Sequence, residues 1–203
     1  AGTHGKTTTT SMLAAVLTEA GLDPTVVVGG KVDALGGSAK LGQGRFVVAE
    51  ADESDGSFVH LPATFAVVTN IDDDHLDYYG SLKAIDDAFV SFVAELPFYG
   101  RAAVCLDDPG VRRNLERFTK PTVTYGFSED AAVRGVELKV ESSGARFQVV
   151  VQEGGQSLRL GEVQICIPGR HNVLNALAVV AVARHLNIPF EKIVVGLASF
   201  RGV

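Results

Sequence analysis

The sequence predicts an α/β fold, doubly wound around a mostly parallel sheet with a P-loop, plus a small antiparallel β-sheet. Three observations carry this. The glycine-rich phosphate loop Gly2-Thr3-His4-Gly5-Lys6-Thr7 opens directly into a helix-forming segment. Short continuous apolar runs at Phe46–Ala49, Phe65–Thr69 and Ala102–Leu106 suit strands buried on both faces. Helical patterns fall between and after those runs, so strands and helices alternate along the chain.

The elements follow in order. Thr7–Ala20 has helix-forming composition with apolar residues at Met12, Leu13, Val16 and Leu17, and Gly21 supplies a C-terminal stop. Thr25–Val28 is a short β-branched strand, and the glycine-rich stretch from Gly29 to Gly44 reads as loop or hairpin. Ser81–Glu95 presents a broad apolar helical face through Leu82, Ile85, Ala88, Phe89, Phe92 and Val93. Pro109–Phe118 is a further helix. Between about residues 121 and 167 the pattern changes. Strand-like pieces at Val136–Val140, Arg146–Val151 and Leu158–Ile165 are separated by Ser-Ser-Gly and Glu-Gly-Gly turns, which predicts a small antiparallel sheet attached to the main one. Helices resume at Asn172–Leu186 and Phe190–Leu197.

Composition narrows the function classes. A chain of 203 residues, 46% hydrophobic and 21% charged, builds a packed globular core and is not a disordered segment. Its net charge of -6 leaves no basic footprint for a nucleic-acid backbone, so no nucleic-acid partner is expected. Phosphate chemistry stays possible, because one lysine and a divalent cation act locally. No apolar run approaches the roughly 18 residues of a membrane span, so no membrane partner is expected either. Cys105 and Cys166 form no CxxC pair and have no histidines at zinc spacing. They read as two buried thiols, and the expected location is cytoplasmic. The strand that a phosphate loop ordinarily follows does not precede Ala1, so the chain reads as part of a longer protein.

Four segments carry chemistry. In Gly2-Thr3-His4-Gly5-Lys6-Thr7-Thr8 the glycines let the backbone turn tightly, so that N–H groups converge on a phosphate at a helix N-terminus. Lys6 would reach the outer phosphates and the Thr7 hydroxyl would ligate Mg²⁺. The competing reading is a glycine turn that caps an ordinary helix. Glu50-Ala51-Asp52-Glu53-Ser54-Asp55 follows an apolar strand, where a carboxylate commonly holds Mg²⁺ or its water. Glu50 is the preferred ligand, while Asp52, Glu53 and Asp55 contact substrate or solvent. Asn70-Ile71-Asp72-Asp73-Asp74-His75 also follows a strand, and its spacing is not that of a helix-loop-helix calcium loop. His75 is a metal ligand, a phosphate contact or an exposed residue. If these three segments leave strands of one sheet, they meet at its carboxyl edge, where open α/β proteins bind ligands. The fourth segment is Pro168-Gly169-Arg170-His171-Asn172-Val173-Leu174-Asn175. Asn172 and Asn175 lie three apart on one helix face, where their amides either read a base edge or serve as a cap and an exposed side chain.

The run Gly2-Thr3-His4-Gly5-Lys6-Thr7-Thr8-Thr9, the segment Glu50–Asp55, Asp74-His75, and His171-Asn172 through Asn175 together resemble the Mur ligase family over nearly the whole chain. The resemblance implies that residues 1–203 are the central ATPase domain of a three-domain ligase, with the antiparallel sheet of about 121–167 inside it. Phe200–Val203 resembles the lead into the third domain. ATP and Mg²⁺ are the implied cofactors. Gly2, Thr3, His4, Gly5, Lys6, Thr7 and Thr8 would cradle the phosphates, with Asn172 and Asn175 at the adenine. Thr7 and Glu50 would hold one Mg²⁺, and His75 would help to hold a second. Lys6, Glu50 and His75 are then the catalytic group. The implied reaction belongs to peptidoglycan precursor synthesis. UDP-N-acetylmuramate and L-alanine are its partners, supplied through flanking nucleotide-sugar and amino-acid domains, and an acyl phosphate is its intermediate. Several related ligases carry a carbamoylated lysine beyond the histidine; here that region reads Ala88-Phe89-Val90, which argues against the later steps of the pathway. A paralogue that adds a recycled tripeptide to the same sugar stays open at this level. So, more remotely, does a P-loop ATPase switch. The isolated chain is expected to be inactive alone.

Overall fold

The computed structural model describes residues 1–32 and 37–203. Helix α1 (Lys6–Glu19) leaves the phosphate loop one residue earlier than the pattern predicts, and Gly21, at φ 76°, lies just past its end. The next segment forms β1 (Thr25–Val32), β2 (Gly37–Lys40) and β3 (Val47–Ala49), ordered β2-β1-β3. β1 and β2 pair antiparallel, with Val32 opposite Gly37, and β1 and β3 pair parallel. The flanks of the Gly29–Gly44 stretch are thus a strand pair; its centre, residues 33–36, lies outside the described residues.

The larger sheet holds β4 (Phe65–Val68), β5 (Arg101–Cys105), β6 (Thr122–Gly126), β7 (Val133–Glu141), β8 (Gly144–Glu153) and β9 (Gln156–Ile165), in that order. Pairing is parallel from β4 to β7 and antiparallel from β7 to β9. The fold is α/β with a mostly parallel main sheet, and its antiparallel strands continue that sheet through the β6–β7 pair. One expectation is corrected. β3 and β4 belong to different sheets, so the acidic segment and the Asn70–His75 segment do not leave strands of one sheet. The physical reason lies in the pairing: β3 takes its ladder bonds from β1, whereas β4 takes them from β5. The Ala1 amino group donates to the Val67 carbonyl at 2.8 Å, and the Ala1 carbonyl accepts from the Thr69 N–H at 3.2 Å.

Both faces of the larger sheet are covered. On β5, Ala103 and Cys105 face one core, while Ala102 and Val104 face the other. The first core lies under α5 (Arg170–His185), whose residues from Val173 to Ala183 are buried except Leu174. A helix apolar all round belongs inside, and this one lies between the sheet and α1, with α6 (Phe190–Ser199) alongside. Gly196 lets α6 approach α1 closely, because a Cβ there would stand 2.6 Å from the Val16 Cα. The second core lies under α3 (Leu82–Ala94) and α4 (Pro109–Asn114). Ser81 caps α3 by accepting from the Ala84 N–H, and Asp108 caps α4 by accepting from the Val111 N–H, with Pro109 in its first turn.

Two details of this second layer position the loops above it. A 3-10 turn at Ser57–His60 sends Phe58 into the core, where its ring lies 5.2 Å from Phe89 and 5.1 Å from Phe92. That anchors the far end of the acidic segment. Asp108 also accepts from the Ile71 N–H at 3.1 Å, which ties the segment after β4 to the start of α4. A short helix α2 (Leu76–Tyr79), too brief for any periodicity to announce, follows His75. Cys105 is buried, and burial pushes its thiol up to about 11. Cys166 is only half-buried, so the expectation of two buried thiols holds for one of them. Among the described residues, no helix is long and apolar enough to cross a membrane.

Phe58→Ala is expected to lower stability by about 3–5 kcal/mol, because it empties an aromatic cluster that cannot collapse freely. Leu41, which is 81% exposed, serves as the control, and Leu41→Ala is expected to change stability by less than about 0.5 kcal/mol. Urea denaturation of both variants measures the difference, and equal midpoints would contradict the anchoring role of Phe58.

Candidate functional site

The phosphate loop is held from one side by the end of β4. Asn70 clasps the backbone of His4: its Oδ1 accepts from the His4 N–H at 2.7 Å, and its Nδ2 donates to the His4 carbonyl at 2.9 Å. The Thr69 hydroxyl donates to the same carbonyl at 2.7 Å. The Thr3 hydroxyl in turn accepts from the Asp72 N–H at 3.1 Å. Gly2 and Gly5 are required by this geometry. Gly2 has φ 139°, and a Cβ there would lie 2.0 Å from Thr69 Oγ1. Gly5 has φ 84° and caps α1 with no side-chain bond, so the first N–H groups of the helix stay available to an anion.

Two charged contacts cross the loop. The Thr7 hydroxyl lies 3.0 Å from each oxygen of the Glu50 carboxylate, which also accepts from the Gly29 N–H at 2.8 Å. A hydroxyl and a carboxylate side by side form the hard oxygen donor set that Mg²⁺ takes, usually with one or two protein ligands and several waters. The pair fits that ion. Lys6 extends the other way, donating to the Gly2 carbonyl at 3.0 Å and to Glu53 Oε1 at 2.9 Å. Glu53 is 2% exposed, and its Oε2 has no hydrogen-bond partner among the described residues.

His75 sits beside the same carboxylate, with Nε2 3.8 Å from Glu53 Oε1. Its φ of 59° is left-handed, a conformation that costs a non-glycine residue roughly 1–2 kcal/mol. That turn starts α2 and brings Tyr79 over the acidic segment, where its hydroxyl donates to the Glu53 carbonyl at 2.5 Å. Burial pushes the Tyr79 phenol up to about 12, so it stays a neutral donor. Next to it, the Ser54 N–H holds the Asp52 carboxyl below the usual range.

A cleft of about 300 Å³ opens on the other side of the loop, lined by His4, Gly5, Asn70, Tyr125, His171 and Asn175 among others. Asn175 is buried and presses on the loop: a Cβ on Gly5 would come within 2.7 Å of its Oδ1. Its Nδ2 lies 3.4 Å from the Asn172 Oδ1. Asn172 does not cap α5. The helix starts at Arg170 with Gly169 as its cap, and the Asn172 amide donates to the Pro168 carbonyl at 2.7 Å. The alternative of a cap and an exposed side chain is therefore overturned for both asparagines.

Of the residues singled out by sequence, the fold brings Gly2, Thr3, His4, Gly5, Lys6, Thr7, Thr8 and Glu50 together around the start of α1. Asn175 borders the cleft, and Asn172 stands behind it, its Oδ1 3.4 Å from the Asn175 Nδ2. His75 stands with Lys6 around Glu53, apart from the contact between Thr7 and Glu50. Among the described residues, no three His, Cys, Asp or Glu side chains gather closely enough to hold a metal ion. Sequence reasoning missed the roles of Thr69, Asn70, Glu53 and Tyr79. Two polar residues directly after an apolar strand were a usable signal for the first two. Nothing in the local pattern marks Glu53 above Asp52 or Asp55, because only its burial sets it apart.

With the geometry in place, the comparisons are direct. The model of the Mur ligase middle domain matches residues 1–183. A UDP-N-acetylmuramate--L-alanine ligase of Trichlorobacter lovleyi is 55% identical over the whole chain, which covers 44% of that relative. The solved structure of a UDP-N-acetylmuramate-alanine ligase from Thermotoga maritima has a TM-score of 0.83 at 32% identity, over the whole chain and 44% of that structure. A UDP-N-acetylmuramate:L-alanyl-gamma-D-glutamyl-meso-diaminopimelate ligase from Neisseria meningitides has a TM-score of 0.85 at 33% identity, over the whole chain and 65% of that structure. The chain thus spans less than half the length of the alanine-ligase relatives it matches. A phosphate loop clasped by the end of β4, a carboxylate against its threonine, and a match over residues 1–183 converge on one statement: this chain belongs to the Mur ligase family, as its middle domain.

Proposed function

We propose that the protein carrying this chain joins L-alanine to UDP-N-acetylmuramate at the expense of ATP, with residues 1–203 as its nucleotide-binding domain. The observation that carries the reading is the contact of Thr7 with Glu50 at the open N-terminus of α1, beside the part-buried Lys6. The curated relatives at 55% identity favour alanine. Among the solved structures the alanine-adding and tripeptide-adding ligases stand at 32% and 33% identity with similar TM-scores, so the shared fold does not separate the two. The flanking domains supply the sugar nucleotide and the amino acid, and a cytoplasmic location follows from those substrates.

Bound Mg-ATP would supply the phosphoryl group that turns the sugar's carboxylate into an acyl phosphate, releasing ADP, and the alanine amine would attack the acyl carbon with phosphate as the leaving group. The physical obstacle is charge, because an anionic carboxylate must approach anionic phosphates. The chain answers it with the N–H groups of the first turn of α1, with Lys6, and with Thr7 and Glu50 as holders of a divalent cation. His75, beside Glu53, helps to hold a second cation in this reading. Asn175 borders the cleft, where its amide would meet the donors and acceptors of a base edge, and Asn172 orients that amide from behind in this reading.

Phosphate release by the full-length protein with Mg-ATP, UDP-N-acetylmuramate and L-alanine, each omitted in turn, tests the assignment. Release that requires all three is expected; release with the sugar and a tripeptide but not alanine would move the protein to the recycling reaction. Lys6→Ala is expected to slow release by at least about 100-fold at a temperature where circular dichroism shows it folded. Near-normal release would remove the loop lysine from catalysis. Gly5→Ala forces a strained φ and a contact with Asn175, so Mg-ATP binding measured by calorimetry should weaken by about tenfold or more. Unchanged affinity would mean that the loop geometry described here is not the binding geometry.

A further inference from the structure

We propose that Glu53 is a positioning residue for the phosphate-loop lysine, acting through Lys6 and not on the reacting atoms. The proposal rests on the ligase reading above. A lysine ammonium has three donors, and two are spoken for: the Gly2 carbonyl at 3.0 Å and Glu53 Oε1 at 2.9 Å. Both acceptors are fixed. Gly2 sits where no side chain fits, and the Glu53 carbonyl receives the Tyr79 hydroxyl at 2.5 Å and the Gly56 N–H at 3.1 Å. The long, flexible lysine stem is thereby held in one pose, and one N–H is left for an incoming phosphate oxygen.

Two further observations point away from a purely structural role. Glu53 Oε2 is buried without a hydrogen-bond partner among the described residues, an arrangement that costs stability. The same carboxylate also stands 3.8 Å from His75 Nε2, so one anion faces both the phosphate loop and the histidine that follows β4. A buried anion beside a phosphate site does not help the ground state to bind, since it repels the phosphates and competes for Lys6. Its benefit is alignment, which acts on turnover.

The test uses the full-length protein with Glu53→Ala and Glu53→Gln, each checked for an unchanged melting temperature. Mg-ATP affinity by calorimetry is expected to stay within about threefold of the parent or to tighten, while kcat falls by about tenfold or more in Glu53→Ala. Glu53→Gln keeps an acceptor for Lys6 and should recover part of that loss. Acylation of Lys6 by an N-hydroxysuccinimide acetate, followed by peptide mass spectrometry, should rise several-fold in Glu53→Ala. Lys6 labelled equally in parent and Glu53→Ala would overturn the proposal. So would a kcat unchanged in Glu53→Ala, or affinity and kcat falling together with no recovery in Glu53→Gln. If the parent itself shows no sugar- and alanine-dependent release, the ligase reading fails, and the labelling and calorimetry still decide on Glu53.

Discussion

The clasp that Asn70 places on the His4 backbone is the contact on which the rest of the site depends. One side-chain amide accepts from an N–H and donates to the carbonyl of the same residue, in the manner of a neighbouring strand. The Thr69 hydroxyl adds a third bond. A glycine-rich loop has more backbone freedom to lose than any other segment, so its shape has to be imposed from outside. Here the imposing surface is the end of β4, which is rigid because it is paired to β5 and roots into the core through Val68. Lys6 and Thr7 begin α1, so fixing His4 also fixes the direction in which both side chains leave the helix.

From that fixed loop the charges follow. The protein is acidic overall, and the two carboxylates nearest the loop face its two functional side chains: Glu50 meets Thr7 and Glu53 meets Lys6. The two pairs differ in environment. Glu50 is only partly buried and shares its oxygens between a hydroxyl and the Gly29 N–H, which leaves it free to accept a cation. Glu53 is buried, and its Oε1 is committed to the Lys6 ammonium. Two carboxylates three residues apart thus have separate tasks, set by what surrounds them and not by their own chemistry.

This difference marks how far the sequence could be read. The phosphate loop was legible because its function needs particular side chains at a particular spacing, and β5 because burial on both faces forces a continuous apolar run. The same pattern predicts burial for β3, which is covered on one face only, with Val47 69% exposed. β6 was not resolved as a parallel strand: Thr122-Val-Thr-Tyr-Gly alternates like the antiparallel strands that follow, although it pairs with β5. The division between the two sheets was invisible, since it depends on which distant strands pair: β3 with β1, and β4 with β5. Glu53 was indistinguishable from its acidic neighbours, because the groups that meet it, Lys6 and Tyr79, reach it from other elements. Local chemistry is written locally, and burial is not.

The same reasoning explains why the loop and the cleft behind it form one unit. Asn175 lies on α5, the most buried helix of the molecule, and its amide reaches the point where a Gly5 side chain would begin. α5 cannot shift without disturbing β5 through β8, against which it packs. A ligand in the cleft and an anion on the loop therefore share one wall, made by a residue that neither can push aside. The glycine at position 5 satisfies two demands at once: a left-handed turn that frees the N-terminus of α1, and the absence of a Cβ where Asn175 must stand. A side chain there would force a choice between the phosphate site and the cleft, which is why both demands fall on one glycine.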